Sequence, residues 1–226
     1  MYNYVNLKVF SMLTGLNQLH GKTIEDMIKS AFQGSSDCSR SVSSRFDIEA
    51  AFDKERNLDT SIKASKKDNI EMADARRFFE NTKPFRLLIC RYSQKDKMKV
   101  FSEIHEVFMT EDILHYLKGE LPYDIIAEFH EQLKSFSIGQ HREARFFAKE
   151  RKKELQNIYS SNIILNPKID SGNQRRLQCS MNINQIYAAF PDCYTIHKEN
   201  YKVLGLPISI FSESRKFNTT GNDHEL

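Results

Sequence analysis

The sequence of 226 residues lacks most of the features that would assign it quickly. Its four cysteines, Cys38, Cys90, Cys179 and Cys193, are scattered, with no CxxC pair and no regular spacing. A zinc site built on paired thiols is therefore not expected, and the cysteines read as free thiols in a reducing compartment. His105, His115, His130 and His141 also lack the spacing of zinc ligands. No apolar stretch approaches the ~20 residues that span a bilayer. The opening MYNYVNLKVF has neither the charged region nor the long apolar run of a secretory signal. The expectation is a cytoplasmic protein with no membrane partner. GxGxxG, Walker, GxSxG and HExxH patterns are missing, so nucleotide, serine-hydrolase and metalloprotease readings have no support. There is no internal repeat and no low-complexity segment. Charge of one sign is not in large excess, at net +3 and a pI of about 8.6. So small a surplus argues for no partner, and only the distribution of charge can speak for nucleic acid.

What is present is ordinary for a folded domain: 40% hydrophobic residues, 28% charged residues and enough Phe for a sizeable core. The length suits one domain with an elaborated second half. The informative stretch is Ser44–Lys66, SRFDIEAAFDKERNLDTSIKASK. It reads as two short strands joined by the polar turn KERNLD. Alternation puts Phe46, Ile48 and Ala50 on one face of the first strand, and Asp47 and Glu49 on the other. On the second strand, Thr60, Ile62 and Ala64 oppose Ser61, Lys63 and Ser65. Pairing the strands brings Asp47 and Lys63 within reach of each other on a polar face. A carboxylate beside a lysine suits a divalent-metal site that hydrolyses phosphodiesters. The same charges also suit the wet side of a surface hairpin.

Around this stretch the periodicities predict a mixed α/β arrangement. Lys22–Phe32 has a helical stripe, with Glu25 and Asp26 in its first turn, where acids suit the helix dipole. Ile70–Asn81 reads as a second helix, with Met72, Ala75, Phe78 and Phe79 on its stripe and Asp74, Arg76, Arg77 and Glu80 off it. Phe85–Tyr92 is an apolar run that suits a buried strand, and Val100–Met109 reads as another. Thr110 caps a helix ending at Gly119, and Pro122 opens a helix over Tyr123–Phe136. His141–Tyr159 is a helix with a basic middle, six Arg or Lys against two Glu between Arg142 and Lys153. Asn162–Ile169 and Arg175–Asn182 flank the turn DSGNQ and read as a hairpin. A helix-like NINQIYAAF and a final strand YKVLGLPISIF close the chain. Residues 1–20 suggest a short helix, residues 33–43 a loop, and residues from Ser212 onward a polar tail.

The order of Glu25 on a helix, FDI on a strand, SIK on the next strand and then a helix resembles the PD-(D/E)xK nuclease superfamily, and within it type II restriction endonucleases. The resemblance covers about residues 20–92. It implies a small mixed sheet flanked by helices, with a nuclease core over residues 20–110. Residues 137–211, the basic helix and the hairpin, then form a DNA-recognition elaboration. Asp47 would be a metal ligand, Lys63 the catalytic lysine, and Glu25 the glutamate that many members carry on the first helix. Two departures stand out. No proline precedes Asp47, and Ser61 occupies the place of the acid in (D/E)xK. Some restriction enzymes have SxK here and supply the carboxylate from the following helix, which favours Asp74 and Glu71 over Glu49. The implied cofactor is Mg²⁺ and the implied substrate double-stranded DNA. A palindromic target would call for a homodimer, and a DNA methyltransferase would be its genetic partner. Arg142, Arg145, Lys149, Arg151, Lys152 and Lys153 suit phosphates, as do Lys66 and Lys67 after the SIK strand. Lys168, Arg175, Arg176 and Gln178 on the hairpin suit base edges. A sequence-tolerant repair nuclease and a non-catalytic nucleic-acid-binding protein remain the alternatives.

Overall fold

The computed structural model describes residues 25–26, 28–29, 46–52, 57–95, 98–198, 202–203, 206–207 and 212–213. The readings for residues 1–20, for the 33–43 loop and for most of the final strand and tail lie outside them. After a 3₁₀ turn at Ala50–Phe52, the order is β1 (Thr60–Ser65), β2 (Asn69–Asp74), α1 (Ala75–Glu80), β3 (Phe85–Lys95) and β4 (Met98–Met109). Then come α2 (Glu111–Lys118), α3 (Tyr123–Ser135), α4 (His141–Ile158), β5 (Ile163–Ile169) and β6 (Arg175–Asn182). The chain continues through α5 (Ile183–Ala189), β7 (Tyr194–His197), β8 (Lys202–Val203), β9 (Leu206–Pro207) and β10 (Ser212–Glu213). The fold class is mixed α/β.

Two sheets matter for the site. One runs β1–β3–β4–β10, with β7 also paired to β4. β1 lies parallel to β3, while β3 and β4 are antiparallel. The other is the antiparallel sheet β2–β6–β5. β3 is central because FRLLIC is apolar without interruption, and Leu87, Leu88 and Ile89 are fully buried between two covered faces. On one face, Leu87, Ile89, Val107 and Met109 join Phe78, Phe79, Ile113, Leu117, Phe129 and Leu133 in one core. Leu177, Cys179 and Met181 of β6 extend that core under the second sheet. Each fully buried aliphatic or Phe side chain contributes about 1.5–3 kcal/mol. On the opposite face Leu88, Cys90 and Ile104 are buried around Arg86. The Arg86 guanidinium pairs with Glu106 at 2.9 Å and lies over the Phe108 ring, and Glu106 also meets His197 of β7 at 3.0 Å.

Two expectations are corrected. Phe46–Ala50 is not a strand: it makes one bridge, Ile48 to Thr60, before the 3₁₀ turn. β1 therefore does not lie in a surface hairpin. It is the edge partner of β3, and Thr60, Ser61 and Ile62 are all buried. Residues 70–81 are not one helix either. Asn69–Asp74 is a strand because β6 is there to pair with it. Ile70 and Met72 point inward, and Ala73, at φ +70°, breaks the register. Helical spacing and strand alternation overlap in this stretch, and tertiary pairing decides between them.

The helices from residue 110 to 158 follow their sequence signals. Thr110 accepts a hydrogen bond from the Ile113 amide, and Glu111 and Asp112 fill the first turn of α2. Among the described residues, no helix is long and apolar enough to cross a membrane. Gly119 ends α2 at φ +55°, with the Ser160 carbonyl pressed against it. A Cβ there would sit 2.2 Å from that oxygen. Gly119→Ala is expected to cost about 2–4 kcal/mol, because both the left-handed backbone and the backbone clash oppose it. An unchanged urea midpoint for this variant would contradict the packing.

Candidate functional site

Asp47 is set by backbone. The Asp47 and Ile48 amides both donate to the Thr60 carbonyl, at 2.9 and 3.0 Å, and the Thr60 amide donates to the Ile48 carbonyl. The short segment before the 3₁₀ turn is thereby tied to the start of β1. The Asp47 carboxylate then reaches across. Its Oδ2 accepts from the Ile62 amide at 2.6 Å and from the Ser61 hydroxyl at 3.3 Å. Lys63, on the same strand face as Ser61, brings Nζ to 3.9 Å from that oxygen. The three residues of the FDI…SIK pattern thus converge, and Ser61 acts as a donor to Asp47.

These groups open into a pocket of about 210 Å³. Asp47, Ser61 and Lys63 line one side. Asp74, Arg77 and Asn81, from the start and end of α1, line it too, with Phe46, Met72, Phe78 and Phe85. Asp74 is the N-cap of α1: its Oδ1 accepts from the Arg77 amide at 3.0 Å. Its other oxygen lies 4.0 Å from His130 Nδ1 on α3. Burial holds the His130 imidazole below its usual range, against the opposing pull of Asp74. Of the three acids weighed for the second ligand, Asp74 lies in the pocket wall. Glu71 points away and pairs with Lys168 at 3.5 Å, and Glu49 is exposed outside the lining.

Glu25 belongs to the same neighbourhood. It is helical, pairs with Lys29 one turn later, and shares a side-chain hydrogen bond with Asp47. Burial pushes its carboxyl up from the ordinary value. Lys29 opposes that shift, and the charge of Asp47 adds to it. Two acids this close favour either a shared proton or a cation. Their hard oxygens suit Mg²⁺, which takes one or two carboxylates and keeps several waters. Among the described residues, no group of three or more His, Cys, Asp or Glu side chains is arranged to hold a metal by itself. Asp47 and Glu25 would hold the ion, with Asp74 across the pocket.

The candidate DNA-contacting residues divide. Lys66 and Lys67 are exposed in the turn after β1, and Arg142, Lys149 and Lys153 are exposed on α4. Arg145 is partly committed, its Nε and Nη2 donating to the Ile169 carbonyl at 3.2 and 3.0 Å. Arg151 is tied to Glu154 and Glu128, and Lys152 is half-buried. On the hairpin, Lys168 faces Glu71, Gln178 is half-buried beside Asp74 in the β2–β6 ladder, and Arg176 is exposed. Arg175 corrects the expectation of a base reader. Only 7% exposed, it donates to the carbonyls of Asp170, Gly172, Gln174 and Ser137. The residues that sequence reasoning missed are Arg77 and Asn81. Their signal was position: Arg77 follows Asp74 by three residues, off the apolar stripe.

Compared with known proteins, the chain matches no family model, no curated protein and no solved structure.

Two outcomes follow from these contacts. Arg175→Ala should lower stability by roughly 2–4 kcal/mol, since four carbonyls lose a charged donor. Arg176→Ala should leave stability within about 0.5 kcal/mol. Denaturation midpoints that rank the two the other way would contradict the assignment. For Glu25, the raised carboxyl gives a defined sign. A group whose folded pKa lies above its unfolded value adds stability at low pH and loses it as pH rises through the folded value. Glu25→Gln removes that dependence, so it should melt about 1–3 °C higher than wild type at pH 7 without divalent ions. The difference should vanish near pH 4, and melting curves at the two pH values test it.

Proposed function

We propose that the protein is a Mg²⁺-dependent endonuclease that hydrolyses phosphodiester bonds of double-stranded DNA at a short specific sequence. The observation that carries this reading is that Asp47, Ser61, Lys63 and Asp74 line one pocket together, with Lys63 Nζ 3.9 Å from Asp47 Oδ2. A bound Mg²⁺ would lower the pKa of a water and polarise the phosphoryl oxygens. The chain's own residues do the rest. Ser61 and the Ile62 amide fix Asp47 so that its carboxylate cannot swing away. Lys63, held beside Asp47, orients the attacking water or meets the charge that develops on the phosphate. The apolar wall of Phe46, Phe78 and Phe85 limits solvent on one side. The exposed cations of α4, together with Lys66 and Lys67, supply salt-sensitive phosphate contacts, and Arg176 is the outward arginine on the hairpin. A two-fold dimer belongs to this reading if the target is palindromic.

One observation favours a second reading, a nucleic-acid-binding protein without catalysis: the described residues alone do not assemble three metal ligands. Melting in Mn²⁺ or Ca²⁺ separates the two. A working site gains stability with rising ion concentration, as RT ln(1 + [ion]/Kd), and a dead site does not.

Lys63→Ala should lower the cleavage rate on plasmid DNA in Mg²⁺ by at least about 100-fold, with duplex affinity within about twofold. Asp47→Asn should fold, since the amide oxygen can still accept from Ile62, and no Mn²⁺ concentration should restore its rate. Wild-type cleavage by either variant would remove that residue from the mechanism.

A further inference from the structure

We propose that Arg77 is a phosphate ligand of this pocket, holding the phosphodiester against which Lys63 works. The inference rests on the nuclease reading of the site. Three observations lead to it. Arg77 lines the same pocket as Lys63, Asp47 and Asp74, and its side chain is exposed. Its guanidinium makes no ion pair with another described residue. The acids that share the pocket lining with it accept from other groups: Asp74 Oδ1 takes the Arg77 backbone amide, and Asp47 Oδ2 takes Ile62 and Ser61. Its neighbour shows the contrast. Arg76 turns to the far side of α1, donates to Tyr123 at 3.1 Å and pairs with Glu131 at 3.1 Å.

The charge count supports the same conclusion. The pocket lining carries two carboxylates, Asp47 and Asp74, and two cations, Lys63 and Arg77. A divalent cation held by the acids of the site leaves Lys63 and Arg77 in excess, and a phosphate diester, with one negative charge, is an anion that the two can share. A guanidinium presents two parallel N–H groups to two phosphate oxygens, which an ammonium cannot do. Lys63 then serves one oxygen as a point charge, while Arg77 fixes the orientation of the phosphate. The N-cap bond from the Arg77 amide to Asp74 fixes the backbone from which that guanidinium extends.

The test has two arms, with Arg76→Ala as the internal control. In EDTA, binding of a duplex is measured by fluorescence anisotropy across a salt series. Arg77→Ala and Arg77→Gln are expected to lower the slope of log K against log [salt] by about one unit, and Arg77→Lys to restore it. Arg76→Ala should keep the wild-type slope. In Mg²⁺, Arg77→Ala should reduce kcat/KM about 10–100-fold, and Arg77→Lys should recover only part of it, because it keeps the charge and loses the fork. An unchanged slope in both neutral variants overturns the assignment, whatever the activity shows. A wild-type protein that binds duplex but cleaves nothing in Mg²⁺ or Mn²⁺ refutes the nuclease reading instead, and the salt slope still decides for or against Arg77.

Discussion

The bond from the Ile62 amide to Asp47 Oδ2 is the constraint on which the rest of the site depends. It is short and charge-assisted, and it adds a side-chain tie to the backbone bonds that join Asp47 and Ile48 to Thr60. The segment before the 3₁₀ turn has only a single bridge to hold it, too little to count as a strand. The Thr60 carbonyl and the Asp47 carboxylate do the holding instead. Once Asp47 is pinned there, Lys63 must pass beside it, because β1 puts residues 61 and 63 on one face. Glu25, whose carboxyl is pushed up mainly by burial, must then also tolerate a like charge. Fold and electrostatics at the pocket are set by the same carboxylate.

β1 itself is held in position by the larger structure. It is an edge strand, and its parallel pairing with β3 sets Lys63 opposite Ile89. Parallel neighbours cannot be joined by a tight turn. The chain between them instead makes β2 and α1, and these supply the opposite wall of the pocket. Asp74 and Arg77 are therefore products of the crossover. Covering both faces of β3 drives the burial of Thr60, Ser61 and Ile62, which leaves the Asp47 bond half-buried.

Much of this was legible in the sequence. Caps and breaks marked α2 and α3, the uninterrupted FRLLIC marked β3, and the turn DSGNQ marked the β5–β6 hairpin. Lys63 was readable beside Ser61 because alternation along β1 is local, whereas Asp47 meets them from a segment that is not a strand. What could not be read depends on partners distant in sequence. β2 carries residues at helical spacing and is a strand only because β6 lies against it. Nothing in SIK announces a parallel neighbour that begins at residue 85. Arg175 looked like a reader because charge is visible in a sequence and burial is not. Its four carbonyl partners come from the tip of its own hairpin and from Ser137, and only the folded turn brings them together.

The β2–β6 ladder carries one more implication. It ends with Asp74 opposite Gln178, two residues along β6 from Arg176. The backbone hydrogen bonds of the ladder run from the outer end of that hairpin to the N-cap of α1. The irregularity at Ala73, where the register slips, lies within that run. The hairpin and the pocket thus share one continuous ladder, which ends at an acid of the pocket wall.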